Sequence, residues 1–198
     1  MSTTPATNGL LLVISGPSGV GKTTITHEVE RLLGGTFSVS ATTRPKTAAD
    51  VEGRDYIFLT REEFESRLER GEFLEHAEVF GKHLYGTPRE PVDAALSEGQ
   101  LVLLEIDVQG AIQVRERMPD AFMIFVLPPD EDELLRRLRD RGREDETVIQ
   151  RRFAEARHEI SMARQHGIYD AFIVNDDLKR AIDEACRLVQ ERRGQPYG

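Results

Sequence analysis

Leu10-Leu11-Leu12-Val13-Ile14-Ser15-Gly16-Pro17-Ser18-Gly19-Val20-Gly21-Lys22-Thr23 is the stretch on which the reading of this chain turns. Gly16 to Thr23 fit G-x-x-x-x-G-K-[ST], the phosphate-binding loop, a motif that has meaning only between a strand and a helix. Here an apolar run precedes it and a helix-compatible run, Thr24 to Leu33, follows. Glycines let the backbone turn tightly and aim several N–H groups at one anion, and the helix adds the positive end of its dipole. Gly16, Pro17, Ser18, Gly19, Val20, Gly21, Lys22 and Thr23 are therefore expected to cradle nucleotide phosphates. Lys22 would reach the β- and γ-phosphates, and the Thr23 hydroxyl would bind Mg²⁺. The competing reading is a glycine-rich turn with no ligand.

Outward from the loop, Leu101–Leu104, Phe122–Leu127 and Ala171–Val174 are apolar runs without alternation. Such strands are buried on both faces, and their alternation with helices predicts an α/β fold: a parallel sheet of the P-loop NTPase type flanked by helices. Helices are expected over Gln109–Arg117, Asp130–Arg141, Glu146–His166 and Asp177–Arg193. Residues 37–90 break the pattern. Their strands (Phe37–Ser40, Tyr56–Leu59 and Phe73–Phe80) are shorter and more polar, and Thr60-Arg61-Glu62-Glu63 is a capping box opening a helix that Gly71 stops. This region reads as a small mixed insert beside the nucleotide site.

Composition narrows the class. At 198 residues the chain suits one α/β domain with small insertions. A net charge of −9 argues against a general nucleic-acid or anionic-membrane binder, while leaving room for a local basic pocket. Cys186 is the only cysteine, which excludes an intramolecular disulfide and a multi-cysteine zinc site. The five histidines show no metal-binding spacing. No stretch is long enough to span a bilayer, and Met1 to Asn8 lacks the basic start and apolar core of a signal peptide. A loose tail over 1–8 and a cytoplasmic location are expected.

The insert carries the marks of a second nucleotide. Ser40-Ala41-Thr42-Thr43-Arg44-Pro45-Lys46 combines hydroxyls with two cations, which suits a phosphate. Phe73-Leu74-Glu75 places a carboxylate on a strand, and Tyr85-Gly86-Thr87 offers a phenol, a turn and a hydroxyl. Guanine presents N1–H and N2–H₂ side by side, so one carboxylate can accept both hydrogen bonds. Adenine lacks that pair. Glu75 is a candidate for this role.

At this point the chain resembles the guanylate kinase family. The resemblance rests on Gly16–Thr23, Ser40–Arg44, Gly53-Arg54-Asp55-Tyr56, Glu75, Tyr85-Gly86-Thr87, Ile106-Asp107-Val108-Gln109-Gly110 and Ile173-Val174-Asn175-Asp176, in the family's order and near its spacing. It implies transfer of the γ-phosphoryl of ATP to GMP, and to dGMP, with Mg²⁺ as cofactor. It implies a core of residues 9–36, 91–136 and 167–198, a GMP-binding insert over 37–90 and a helical lid over 137–166. Carried over by motif, Ser40, Glu75, Thr87 and Asp107 would contact guanine. Arg44, Lys46, Tyr56 and Tyr85 would hold the GMP phosphate. Asn175 and Asp176 would lie near adenine, and Arg137, Arg141 and Arg152 would act with Lys22 and Arg44 on the transferring phosphoryl.

Two departures stand out. The family usually reads Thr-Thr-Arg-x-Pro-Arg, whereas Thr42-Thr43-Arg44-Pro45-Lys46-Thr47 is one residue short before the proline. A gap assigns the second cation to Lys46; an ungapped reading assigns the place to Thr47. Glu105 stands where the family usually has aspartate, and together with Thr23 it is the expected metal-side pair. A silent interaction module of the same fold and a kinase for a ribosyl bisphosphate are the competing functions. The intact Gly21-Lys22-Thr23 weighs against the first and Glu75 against the second. The absence of Asn-Lys-x-Asp weighs against a GTPase switch.

Overall fold

The computed structural model describes residues 9–79, 81–140 and 145–194. β1 (Leu10–Ser15) is buried along its whole length. That requires neighbours on both edges and a layer on each face. β7 (Leu101–Glu105) and β8 (Phe122–Leu127) flank it in parallel. β2 (Thr36–Phe37) and β9 (Ala171–Val174) complete a parallel sheet in the order β2-β7-β1-β8-β9. Side chains alternate across it, so Leu10, Leu12 and Ile14 enter one apolar cluster while Leu11 and Val13 enter another. α1 (Lys22–Leu33) and α7 (Leu178–Arg192) close the first face through Ile25, Val29, Ala185 and Val189. α3 (Arg89–Ser97) and α4 (Val108–Arg117) close the second through Val92, Val108, Ala111 and Val114.

The second sheet is small and mixed. It contains β3 (Ala41–Thr42), β4 (Ile57–Phe58), β5 (Phe73–Val79) and β6 (His83–Pro88), ordered β4-β3-β6-β5. α2 (Arg61–Glu69) covers it, with the Phe64 ring stacked on Phe73 at 4.4 Å. The expected capping box is formed: the Thr60 hydroxyl accepts from the Glu63 N–H, and the Glu63 carboxylate accepts from the Thr60 N–H.

One boundary is drawn differently by packing than by pattern. Thr36–Phe37 pairs with β7, and the Ser38 N–H donates to the Leu103 carbonyl at 3.0 Å. Phe37 packs against the core, so the first residues past 36 belong to the large sheet and the small one begins at Ala41. The helices α5 (Glu131–Asp140) and α6 (Glu146–His166) bury Leu134, Leu138, Ile149 and Ala156 in the main core. In this structure residues 137–140 and 145–166 are therefore docked on the sheet. Phe80 and Arg141 lie outside the described residues.

Candidate active site

The phosphate loop joins β1 to α1 at the carboxyl end of the sheet, where ligands of open parallel sheets bind. α2, α4, α6 and α7 are capped by Thr60, Asp107, Asp145 and Asp177. α1 has no side-chain cap and no acid in its first turn. Its first N–H groups have no partner within the helix, which makes that end a site for an anion. Gly21 stands at φ +91°, and a Cβ there would lie 2.7 Å from Asn175 Nδ2. That amide donates to the Val20 carbonyl at 2.6 Å, so the residue just after β9 pins the loop from behind.

Parallel pairing of β1 with β7 sets Glu105 opposite Ile14, at the foot of the loop. The Thr23 hydroxyl donates to Glu105 Oε1 at 2.7 Å. Lys22 Nζ donates to the Pro17 carbonyl at 3.3 Å, folded back over the loop. Two expected arginines reach the same place. Arg152 Nη2 donates to Ser18 Oγ at 2.6 Å. Arg137 Nη2 donates to the Asn175 carbonyl at 2.9 Å, and its Nε to Glu133 Oε1 at 2.7 Å. Arg136 and Arg137 together hold the Glu133 carboxyl down to about 2. A cleft of about 350 Å³ opens between Gly19, Gly21, Thr24, Arg137, Asn175 and Leu178. Asp176 is exposed next to it and paired with Arg180.

Glu75 is buried, 7% exposed. β5 and β6 set it opposite Thr87, whose hydroxyl donates to Oε1 at 2.6 Å. Its other oxygen faces Gly110, where a Cβ would sit 3.1 Å from Oε2. α4 is held to β5 by side chains one turn apart. Gln113 exchanges two hydrogen bonds with the His76 backbone, and Arg117 donates to the Leu74 carbonyl at 2.7 Å. Burial pushes the Glu75 carboxyl above its usual range; the Thr87 bond opposes this and nearby Asp107 adds to it. Asp107 is exposed and caps α4, accepting from the Gly110 N–H at 2.8 Å. The end of the large sheet and the small sheet thus bring two carboxylates close enough to influence each other.

The cations of the insert gather around aromatic rings. The Arg44 guanidinium lies 5.3 Å from the Tyr56 ring centre and 5.5 Å from that of Phe58. Lys46 Nζ lies 5.7 Å from the Phe58 ring, and the Tyr56 and Tyr85 rings meet edge-on at 5.7 Å. Ser40 stands at the entrance to β3, its carbonyl accepting from the Ile57 N–H at 2.9 Å. Thr47 turns elsewhere: its hydroxyl and its N–H both donate to Asp50 Oδ2 at 2.7 Å.

Three residues at this place escape sequence reading. Phe58 is the ring shared by Arg44 and Lys46, yet looks like any strand aromatic. Asp50 braces the Arg44 loop, and no spacing rule marks an acid in such a loop. Glu159 lies on the α6 face shared with Arg152, Ala156 and Ala163, the last two buried. Burial pushes its carboxyl up to about 7, with Lys22 pulling it down and Asp107 and Glu155 pushing it up. Among the described residues no cluster of three or more His, Cys, Asp or Glu could hold a metal ion, and no helix is long and apolar enough to cross a membrane.

A phosphate loop at the end of a parallel sheet, facing a second sheet with a buried carboxylate and a cation–aromatic cluster, defines a P-loop kinase of nucleoside monophosphates. The family model described as guanylate kinase matches residues 8–192. Guanylate kinase of Alkalilimnicola ehrlichii is 49% identical over 186 residues, covering 93% of this chain and 90% of its own. That of Synechococcus sp. is also 49% identical, covering 93% and 84%. The crystal structure of guanylate kinase from Anaplasma phagocytophilum superposes with a TM-score of 0.71 at 35% identity, covering 94% of this chain and 87% of that one. The chain belongs to the guanylate kinase family: it is an ATP-dependent kinase that phosphorylates GMP.

Proposed function

We propose that the two substrates meet end to end, with the ATP phosphates in Gly16–Thr23 and the GMP base against Glu75. The observation that carries this reading is Glu75 itself, a buried carboxylate with one oxygen held by Thr87 and the other turned toward the N-terminal turn of α4. In this reading Glu75 accepts from guanine N1–H and N2–H₂, while Ser40, Thr87 and Asp107 complete the base contacts. Arg44, Lys46, Tyr56 and Tyr85 hold the acceptor phosphate. Asn175 and Asp176 flank adenine at the cleft beside Gly21. The proposed contacts fall on base and phosphate rather than the ribose 2′-hydroxyl, so dGMP is an acceptor too. Of the expected insert, residues 39–90 act as the acceptor-binding unit, since Phe37 and Ser38 bond to the large sheet; residues 137–166 act as the lid.

The acceptor phosphate is already ionised near neutral pH, so the chain has no need of a strong base. The barrier is repulsion between two anions, and the work is alignment and charge stabilisation. Lys22, Arg137 and Arg152, from the loop and from the two docked helices, act on the transferring phosphoryl, where one such arginine is worth roughly 10³–10⁵ in rate; Arg141, outside the described residues, is assigned to the same task by its motif alone. Members of the family generally use Mg-ATP. The Thr23 hydroxyl and Glu105 carboxylate, in contact at the foot of the loop, are hard oxygen donors of the kind Mg²⁺ takes. They would hold it there, Glu105 directly or through water. Bound Mg²⁺ would offset charge on the β- and γ-oxygens.

GDP formation followed against Mg²⁺ concentration tests this arrangement. Lys22→Ala is expected to abolish turnover in a folded protein. Glu105→Gln is expected to raise the Mg²⁺ requirement while leaving the GMP KM unchanged. An unaltered Mg²⁺ dependence would remove Glu105 from the metal side of the site.

A further inference from the structure

The insert contains an apparent contradiction. A site built for a phosphate holds a carboxylate, Asp50, directly against its principal cation. Arg44 Nη2 donates to Asp50 Oδ1 at 2.9 Å. The pair is largely enclosed, with side chains 26% and 14% exposed. A negative charge here repels an incoming phosphate, and a surface ion pair with no further role adds little.

The surrounding bonds resolve it. Asp50 Oδ2 takes the Thr47 N–H and the Thr47 hydroxyl, each at 2.7 Å, and the Asp50 N–H donates to the Thr47 carbonyl at 3.2 Å. The carboxylate is thereby fixed to its own turn before it touches the arginine. Arg44 cannot then swing freely. Nη2 is held by Asp50, Nη1 donates to the Pro45 carbonyl at 3.2 Å, and the guanidinium lies close to both Tyr56 and Phe58. A guanidinium is a planar fork whose donors point in fixed directions, so fixing one edge aims the other. These three donors also keep the Asp50 carboxyl well below the usual carboxylate range, with the Arg44 bond as the largest cause.

We propose that Asp50 is a positioning residue for acceptor binding: fastened by Thr47, it orients the Arg44 guanidinium toward the phosphate of GMP. This rests on the reading that Arg44 meets that phosphate. It also assigns Thr47 a job, as the fastener of Asp50 rather than a phosphate ligand.

The two effects of Asp50 have opposite signs, which makes the proposal decidable. If the carboxylate acts only as a nearby negative charge, Asp50→Asn relieves repulsion and tightens GMP. If it orients Arg44, the same change loosens GMP, because the amide cannot accept the Thr47 bonds and the arginine bond together. The readout is affinity for GMP beside affinity for guanosine, which lacks the phosphate, together with the KM for each substrate. D50N is expected to raise the GMP KM about tenfold or more, with guanosine affinity and ATP KM unchanged. Asp50→Glu, which keeps the charge on a longer arm, is expected to fall between D50N and the parent. Arg44→Ala measured in parallel separates the two layers. If R44A weakens GMP and D50N does not, or tightens it, the Asp50 assignment is overturned alone. If R44A leaves GMP unaffected, the phosphate-site reading fails and the assignment falls with it. D50N added to R44A should weaken GMP no further; additive losses would contradict action through Arg44. Equal losses for GMP and guanosine would mean a collapsed loop and also overturn the assignment. Should D50N fail to fold, the same comparison is made with D50E, where loss of GMP but not guanosine supports the assignment and unchanged GMP opposes it.

Discussion

Glu75→Gln isolates base recognition from everything else in the site. The change keeps shape and removes one charge and one acceptor. Thr87 already donates to Oε1 at 2.6 Å, so the glutamine oxygen stays on that side and its NH₂ takes the place of Oε2, facing Gly110. Guanine's two donors then meet a donor. Hydrogen bonds to a charged group contribute about 1.5–3 kcal/mol each, so losing both costs about 3–6 kcal/mol, or about 10²–10⁴ in kcat/KM for GMP. The free protein responds in the other direction. Burial raises the Glu75 carboxyl above its unfolded value, so ionising it opposes folding at pH above the folded value. Replacing it with a neutral amide is therefore expected to leave melting at pH 8 unchanged or raised, and the gain disappears in acid, where both forms of the carboxyl are protonated. The assay is coupled GDP formation with GMP varied at saturating Mg-ATP, beside thermal unfolding at two pH values. A folded variant whose GMP kcat/KM stays within about threefold of the parent would refute the hydrogen-bond argument.

The remaining predictions concern the loop, the helix behind it and the acceptor phosphate. Gly21→Ala forces a Cβ into a left-handed backbone 2.7 Å from Asn175 Nδ2, and is expected to lower stability by about 1–3 kcal/mol and raise the ATP KM; a melt and an ATP titration matching the parent would contradict the packing account. Glu159 titrates at about 7 instead of 4.5, so the native state binds more protons than the unfolded one between those values and stability falls as pH rises through them. After solvent screening, Glu159→Gln is expected to gain about 1–2 kcal/mol at pH 8 and nothing at pH 4, as read by denaturant unfolding; an equal gain at both pH values would show that ionisation is not the cause. Lys46→Ala is expected to raise the GMP KM several-fold, since the ammonium stands with Arg44 at the Phe58 ring; an unchanged KM would return the second cation's place to Thr47.

Periodicity made the large sheet legible because β1, β7 and β8 are buried on both faces, and an unbroken apolar run has few other uses. The Gly16–Thr23 motif is legible because phosphate binding needs fixed backbone conformations at fixed intervals, and the uncapped start of α1 is compatible with that use. The insert was harder. β3 and β4 are two residues each, too short for a pattern, and exist because β6 and α2 hold them. Phe37–Ser40 reads as the insert's first strand, yet the strand formed is Thr36–Phe37 and its partner is β7, a choice made by residues far away in sequence. The least legible features were those that depend on what lies opposite: Asp50 against Arg44, Glu159 behind Lys22, and Gly110, small because Glu75 stands over it.

Initial rates with GMP and with AMP, each varied at saturating Mg-ATP, bear most directly on the claim that a buried carboxylate reads the purine. A site organised to hydrogen-bond one substrate rejects an analogue lacking the partner groups by about 10⁴–10⁵, so kcat/KM for AMP is expected to fall below that for GMP by a factor approaching this range. Comparable values for the two acceptors would contradict it.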